Sequence, residues 1–302
     1  MKDAPLVSVF SGHKAAVYAL AASDEGSFFS AGGDGMVVQW NLAEPENGRL
    51  LARMKGSVYS LCYLPESSWL IVAVNRDGFH FIDTKAMEER FSLPTPETRW
   101  FRMMPDNKGC VLAVGSEGRI ALIDPEQRTL TKVAAGQSDI RSLAQFGAEG
   151  GFITGSSDGM LRYLDSKGKV INELPSGHKS TVFGLVSYPD RKRILSSGRD
   201  AHLILHQNTE NEMIEQSLSV PAHLYGIHDV VLHPERPILA SGGLDKSIKI
   251  WGAEDLKLLR VLDRFRNSGH SSSVNHLCWL AKPDLLLSCS DDQTIRAWNI
   301  FE

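Results

Sequence analysis

Apolar residues in this chain come in short runs that alternate with polar ones, and Gly, Pro and Asp punctuate them. The stretches "AVYALAA" (16–22) and "TVFGLVS" (181–187) have a period of two, which puts successive side chains on opposite faces of a strand. Turns marked by proline follow, as in "YPD" (188–190) and "HPERP" (233–237). A second apolar run then closes on glycine ("ILASGG", 238–243), and a turn at an aspartate leads into a third strand, "SIKIW" (247–251). No segment sustains a helical period. The pattern predicts an all-β protein of short antiparallel strands.

The same unit returns along the whole chain. "SGGLDKSIKIW" (241–251) is echoed by "SAGGDGMVVQW" (30–40), "SCSDDQTIRAW" (288–298) and "SSGRDAHLILH" (196–206). Looser copies are "TGSSDGMLRYL" (154–164), "AVGSEGRIALI" (113–123) and "AVNRDGFHFI" (73–82). The acidic turn residues of these seven copies stand at 34, 77, 117, 158, 200, 245 and 292, at intervals of 43, 40, 41, 42, 45 and 47. A period in that range is the mark of a propeller built from four-stranded repeats. The repeats leave no linker or second domain, so residues 1–302 are expected to form one domain.

A Gly-His pair precedes several copies: Gly12-His13, Gly177-His178 and Gly269-His270, with Ala222-His223 a near match. From each His to the residue ending the third strand is 27 positions in the first repeat and 28 in the fifth, sixth and seventh. On these residues the chain resembles the WD40-repeat family of β-propellers, although "WN" and "WG" stand where that family has Trp-Asp. The resemblance implies a seven-bladed propeller of four-stranded antiparallel blades, the N-terminal strand "PLVSVF" (5–10) completing the last blade and leaving no open sheet edge. It also implies a hydrogen-bonded tetrad in each well-formed blade: His13, Ser30, Asp34 and Trp40; His223, Ser241, Asp245 and Trp251; His270, Ser288, Asp292 and Trp298. The fifth blade offers His178, Ser196 and Asp200, with His206 in the Trp position. Blades two to four lack the His, and are expected to rest more on apolar packing and to form the looser arc.

Composition narrows the function. A net charge of −4 and a charged content of 23% give no general attraction to nucleic acid or to anionic membranes. Without an apolar signal region or an 18-residue apolar run, the chain is expected to be cytoplasmic and to make no membrane contact. Its four cysteines have no metal-ligand spacing and are expected to be free and buried.

The Ser, His and Asp types would suit a hydrolase, but a catalytic set is built once and these recur with the blade period. His202 and His206 would lie about 13 Å apart along a strand, too far to share an ion. No phosphate or dinucleotide fingerprint is present. No enzyme activity, cofactor or metal is expected.

The family resemblance places partner binding on one face, at three positions per blade. Carried over, these include Ala16, Tyr18 and Gly33 in the first blade and Glu97, Arg99 and Ser116 in the third. Arginines recur there in four consecutive blades (Arg76, Arg99, Arg141 and Arg199), beside Tyr18, Tyr59, Phe183 and His228. Arginine and aromatic side chains are enriched in binding hot spots, and the guanidinium fork suits carboxylate or phosphate. The expected function is a non-catalytic, monomeric interaction scaffold for a protein or peptide that is acidic or phosphorylated. The alternative is a nucleic-acid-binding propeller using the arginines as phosphate clamps, which the net charge disfavours.

Overall fold

In a computed structural model, residues 6–301 are described except 24, 25, 148, 149, 191 and 209–213. They form seven four-stranded antiparallel sheets. Six sheets use four strands consecutive in sequence. The first runs Val17–Ala22, Ser27–Gly32, Met36–Asn41 and Arg49–Arg53. The seventh takes Val274–Leu280, Leu285–Ser290 and Thr294–Trp298 from the end of the chain and Leu6–Ser11 from its start. That strand pairs antiparallel with Thr294–Trp298, Phe10 lying opposite Ile295.

Burial follows strand position. The second strands are buried at every residue, as in Val111–Gly115 and Leu285–Ser290, or at every residue but the first, as in Ser27–Gly32, whereas the fourth strands, such as Glu88–Pro94, are mostly exposed. This explains why second strands read as unbroken apolar or small-residue runs and fourth strands read weakly. Glycine is required where the third strand of the first sheet begins: Gly35 has φ +70, and a Cβ there would lie 2.4 Å from the Met54 carbonyl oxygen.

Two units make up the chain, residues 1–97 with 231–302, and residues 98–230. In the first unit a core joins Phe10, Val17, Phe28, Trp40, Leu287 and Ile295. In the second, Leu112, Ile120, Ile140, Leu143 and Phe152 pack into one cluster, and Ile153, Leu161, Val182 and Ile194 into another. No helix among the described residues is long and apolar enough to cross a membrane. The cysteines are free, but only Cys62 and Cys289 are buried; Cys110 and Cys278 are half-buried. Burial pushes the Cys62 thiol up to about 12, which keeps it protonated and inert.

The seven-fold pattern carries one repeated irregularity. The pairing of first and second strands shifts register between Val17 and Ala19, Val58 and Ser60, Trp100 and Arg102, Ile140 and Ser142, Val182 and Gly184, and Val274 and His276. Each shift is a one-residue bulge, which re-aims the side chain of the extra residue. The bulged residues are Tyr18, Tyr59, Phe101, Arg141, Phe183 and Asn275.

Candidate partner-binding face

The bulges fix the positions that sequence spacing only approximated. In the third sheet the Ser116 N–H donates to the Arg99 carbonyl at 2.8 Å, as the Gly33 N–H does to Ala16 in the first. Arg99 is therefore the counterpart of Ala16, and Phe101 that of Tyr18. The expectation of Glu97 and Arg99 in those roles is two residues early. This repeat has no His to anchor the count of its first strand, Trp100–Pro105.

In the second unit the bulged residues touch in sequence. The Arg141 guanidinium lies 4.0 Å from the centre of the Phe101 ring and 5.6 Å from that of Phe183, and Phe183 meets His228 edge-on at 5.5 Å. The Arg99 guanidinium also lies over Phe101, at 5.8 Å, and its side chain is 45% exposed. It also pairs with Asp139 at 3.6 Å, whose carboxylate accepts the Glu117 N–H at 3.1 Å. The result is a row of cations and rings, in which guanidinium groups lie over aromatic faces.

In the first unit the Tyr18 and Tyr59 rings lie 4.9 Å apart, tilted by 35°. Burial, and then the neighbouring Tyr59 and Asp291, raise the Tyr18 phenol above its ordinary value, so its O–H stays a donor. Asn275 donates to the Val17 carbonyl at 2.9 Å and to Asp291 at 2.8 Å. Arg76 and Arg199 are exposed but stack on no ring among the described residues, so the structure does not bring all four arginines into one row. The sequence also concealed an ion pair between first strands of the second unit: Arg102 meets Asp229 at 2.9 Å, with the Asp229 side chain 8% exposed.

Beneath these faces lie the polar sets. His13 Nδ1 is 3.0 Å from the Asp34 carboxylate and its Nε2 2.8 Å from Ser30 Oγ, which accepts the Trp40 indole N–H at 2.7 Å. The chain of donors has one consistent direction: indole N–H to Ser30, Ser30 O–H to His13 Nε2, and His13 Nδ1–H to Asp34. His270, Asp292, Ser288 and Trp298 repeat the contacts at 3.0, 2.8 and 2.9 Å. In the sixth repeat Trp251 donates to Ser241 at 2.8 Å, and the Asp245 carboxylate accepts the Ser247 hydroxyl at 2.7 Å; His223 is buried. In the fifth, His178 reaches Asp200 at 2.8 Å and Ser196 at 2.9 Å, while His206 takes the indole's place, 2.8 Å from the same Ser196 hydroxyl.

Burial, outweighing Asp34, lowers the His13 pKa. Asp34 itself falls: burial pushes it up, but the Lys14 and Met36 backbone N–H groups and His13 more than offset this. Changing Ser30 to Ala should leave the Trp40 N–H and His13 Nε2 without their shared partner. At about 1–3 kcal/mol per orphaned group, a clear drop in thermal midpoint is the expected result, read by differential scanning calorimetry.

The second to fourth sheets are not simply apolar. A basic residue on the third strand, two to four positions after the turn acid, holds that acid. His80 sits 3.2 Å from Asp77 and 2.9 Å from Glu89. Arg119 donates to Glu117 and to Thr98, both at 2.9 Å. Arg162, 8% exposed, donates to Asp158 at 2.7 Å and to Ser156 at 3.0 Å. That short spacing is the sequence signal that reading for a preceding His passes over.

The Ser-His-Asp sets are not arranged for attack on a substrate. Ser30, Ser196 and Ser288 are fully buried, and each hydroxyl already bridges two partners. Among the described residues no three of His, Cys, Asp and Glu converge as metal ligands would.

The family model "WD domain, G-beta repeat" matches residues 4–41, 168–207, 215–252 and 257–299, together just over half of the chain. These are the repeats that carry the Gly-His or Ala-His pair; the stretch between them holds the repeats tied by His80, Arg119 and Arg162. Protein tipD of Dictyostelium discoideum is 23% identical over 296 residues, covering 96% of this chain and 48% of that protein. Transducin beta-like protein 3 of Rattus norvegicus is 23% identical over 311 residues, covering 100% of this chain and 34% of that protein. The chain thus spans half or less of the length of these relatives. Among solved structures, the crystal structure of the WD40 beta propeller domain of Doa1 superposes with a TM-score of 0.88 at 17% identity, covering 100% of this chain and 99% of that one. The seven sheets are therefore the blades of a seven-bladed β-propeller, its last blade completed by the N-terminal strand. By fold, repeat and matched residues alike, the chain belongs to the WD40 family.

Proposed function

We propose that this protein is a non-catalytic interaction module that receives an acidic or phosphorylated segment of a partner protein on the row Arg99, Phe101, Arg141, Phe183 and His228. The observation that carries this reading is Arg141 held between two rings. Stacking removes much of the side-chain freedom that an arginine loses on binding, so its anion contacts form at lower entropic cost. Arg99 adds a half-exposed cation beside it. On this reading residues 1–302 act as one domain and as a single copy.

The test is retention of partners by the wild-type chain and by an Arg99→Glu/Arg141→Glu variant, after circular dichroism has shown both folded. Both positions are solvent-accessible, so the variant is expected to fold. It should lose affinity for an acidic or phosphoserine-bearing partner peptide by at least about tenfold. Equal affinity would remove the row from the binding site. Binding to oligonucleotides that falls steeply with added salt would instead favour phosphate clamping of nucleic acid.

A further inference from the structure

The connection before the last Gly-His pair is unusually long. Asp245 and Asp292, which flank it, are 47 residues apart, the widest interval in the series. The chain forms the helical turn Arg264–Asn267 there, and Phe265 on it is 95% exposed, the most exposed large apolar side chain described.

This exposure is built into the turn. The Asp263 carboxylate accepts the N–H groups of Phe265 and Arg266 at 2.9 Å each. The N–H groups of Asn267 and Gly269 return to the Asp263 carbonyl at 3.1 and 3.0 Å. Ser268 closes the turn with φ +55, and a Cβ on Gly269 would sit 2.6 Å from the Asp263 carbonyl carbon. Arg264 and Arg266 are exposed on either side, and Arg266 Nε lies 3.8 Å from the Asp263 carboxylate.

Folding normally removes phenylalanine from water, and the capped turn holds this one out, where its apolar area can be covered by a second molecule. We propose that Phe265, with Arg264 and Arg266 beside it, is a preformed anchor that inserts into an apolar pocket rimmed by carboxylates on a protein partner. The two cations set the charge of the rim, and an aromatic ring flanked by arginines has the composition of a hot spot. A lipid surface fits less well. One ring and two cations, one of them close to a carboxylate, fall short of the paired signals that stable membrane attachment takes. The site is separate in sequence from the arginine–aromatic row and does not depend on it.

The test places the photo-reactive p-benzoylphenylalanine at position 265 of the full chain, irradiates it in extract of its own cells and sequences the cross-linked peptides. One protein should dominate, joined through a segment of apolar residues flanked by Asp or Glu. Its yield should fall at least about tenfold in Arg264→Glu/Arg266→Glu and stay unchanged in Arg99→Glu/Arg141→Glu, which separates this site from the acidic-segment site. A yield no higher than with the probe at Ile171, itself 66% exposed, would overturn the proposal, as would a yield that survives the charge reversal. Sedimentation with phosphatidylserine-rich vesicles that is lost in Phe265→Ala would also overturn it, by moving the site to lipid. Phe265→Ala is expected to melt with the wild type, because so exposed a ring contributes little to the fold.

Discussion

Replacing Phe10 by Ala is expected to destabilise the protein by about 3–5 kcal/mol, the cost of emptying a fully buried aromatic site. Phe10 is 0% exposed and meets Phe28 edge-on at 4.9 Å and Trp40 at 5.6 Å. It joins the strand Leu6–Ser11 to the core of the first blade as well as to the last. A second substitution on the same strand separates packing from backbone pairing. Val9 is 41% exposed, so Val9→Ala should cost less than about 1 kcal/mol. Urea unfolding of both variants measures the contrast. Equal, small effects would mean that the strand is not integral to the last blade.

Acid should weaken the fold through His206. Burial, then the neighbouring His178, lowers its pKa to about 4 from 6.5. The unfolded chain therefore binds a proton at higher pH than the folded one, so stability is complete above about 6.5 and is lost as pH falls towards about 4. The gap corresponds to about 3 kcal/mol at most. His13, His178 and His270, lowered chiefly by burial, act in the same direction. Below the carboxylate range Asp34, Asp200 and Asp292 add to the loss, because each is held below its ordinary value in the fold. His206→Gln keeps an N–H donor for Ser196 but does not titrate. Its urea midpoint should therefore fall less than that of the wild type between pH 7 and pH 4. Parallel losses in the two proteins would show that His206 is not the sensor.

The parts legible in the sequence were those that repeat at fixed spacing. His13 to Trp40 and His270 to Trp298 could be read as sets because a buried polar network tolerates little change in the number of residues between its members. What could not be read depends on register or on long side chains. Phe101 was hidden because its repeat has no His from which to count, and the bulge that re-aims it leaves no mark in the sequence. Arg119 and Arg162 were hidden because an arginine can reach its acid from several starting positions. The exposure of Phe265 was illegible for a simpler reason: sequence alone treats an isolated aromatic residue as core, and only the capped turn around it shows otherwise.

The pairing of Leu6–Ser11 with Thr294–Trp298 also sets the order in which the fold can be completed. The other six blades draw their strands from consecutive sequence and can close as soon as each has been synthesised. The last blade cannot. Its outer strand is made well before its partners and waits, with Phe10 uncovered on one side, until Thr294–Trp298 has followed. Closing so long a loop is slow relative to forming hairpins, and the waiting segment is available to chaperones or to a second nascent chain throughout. The contact that removes the sheet edge in the finished molecule is thus the one that leaves an edge open longest while the molecule is being made.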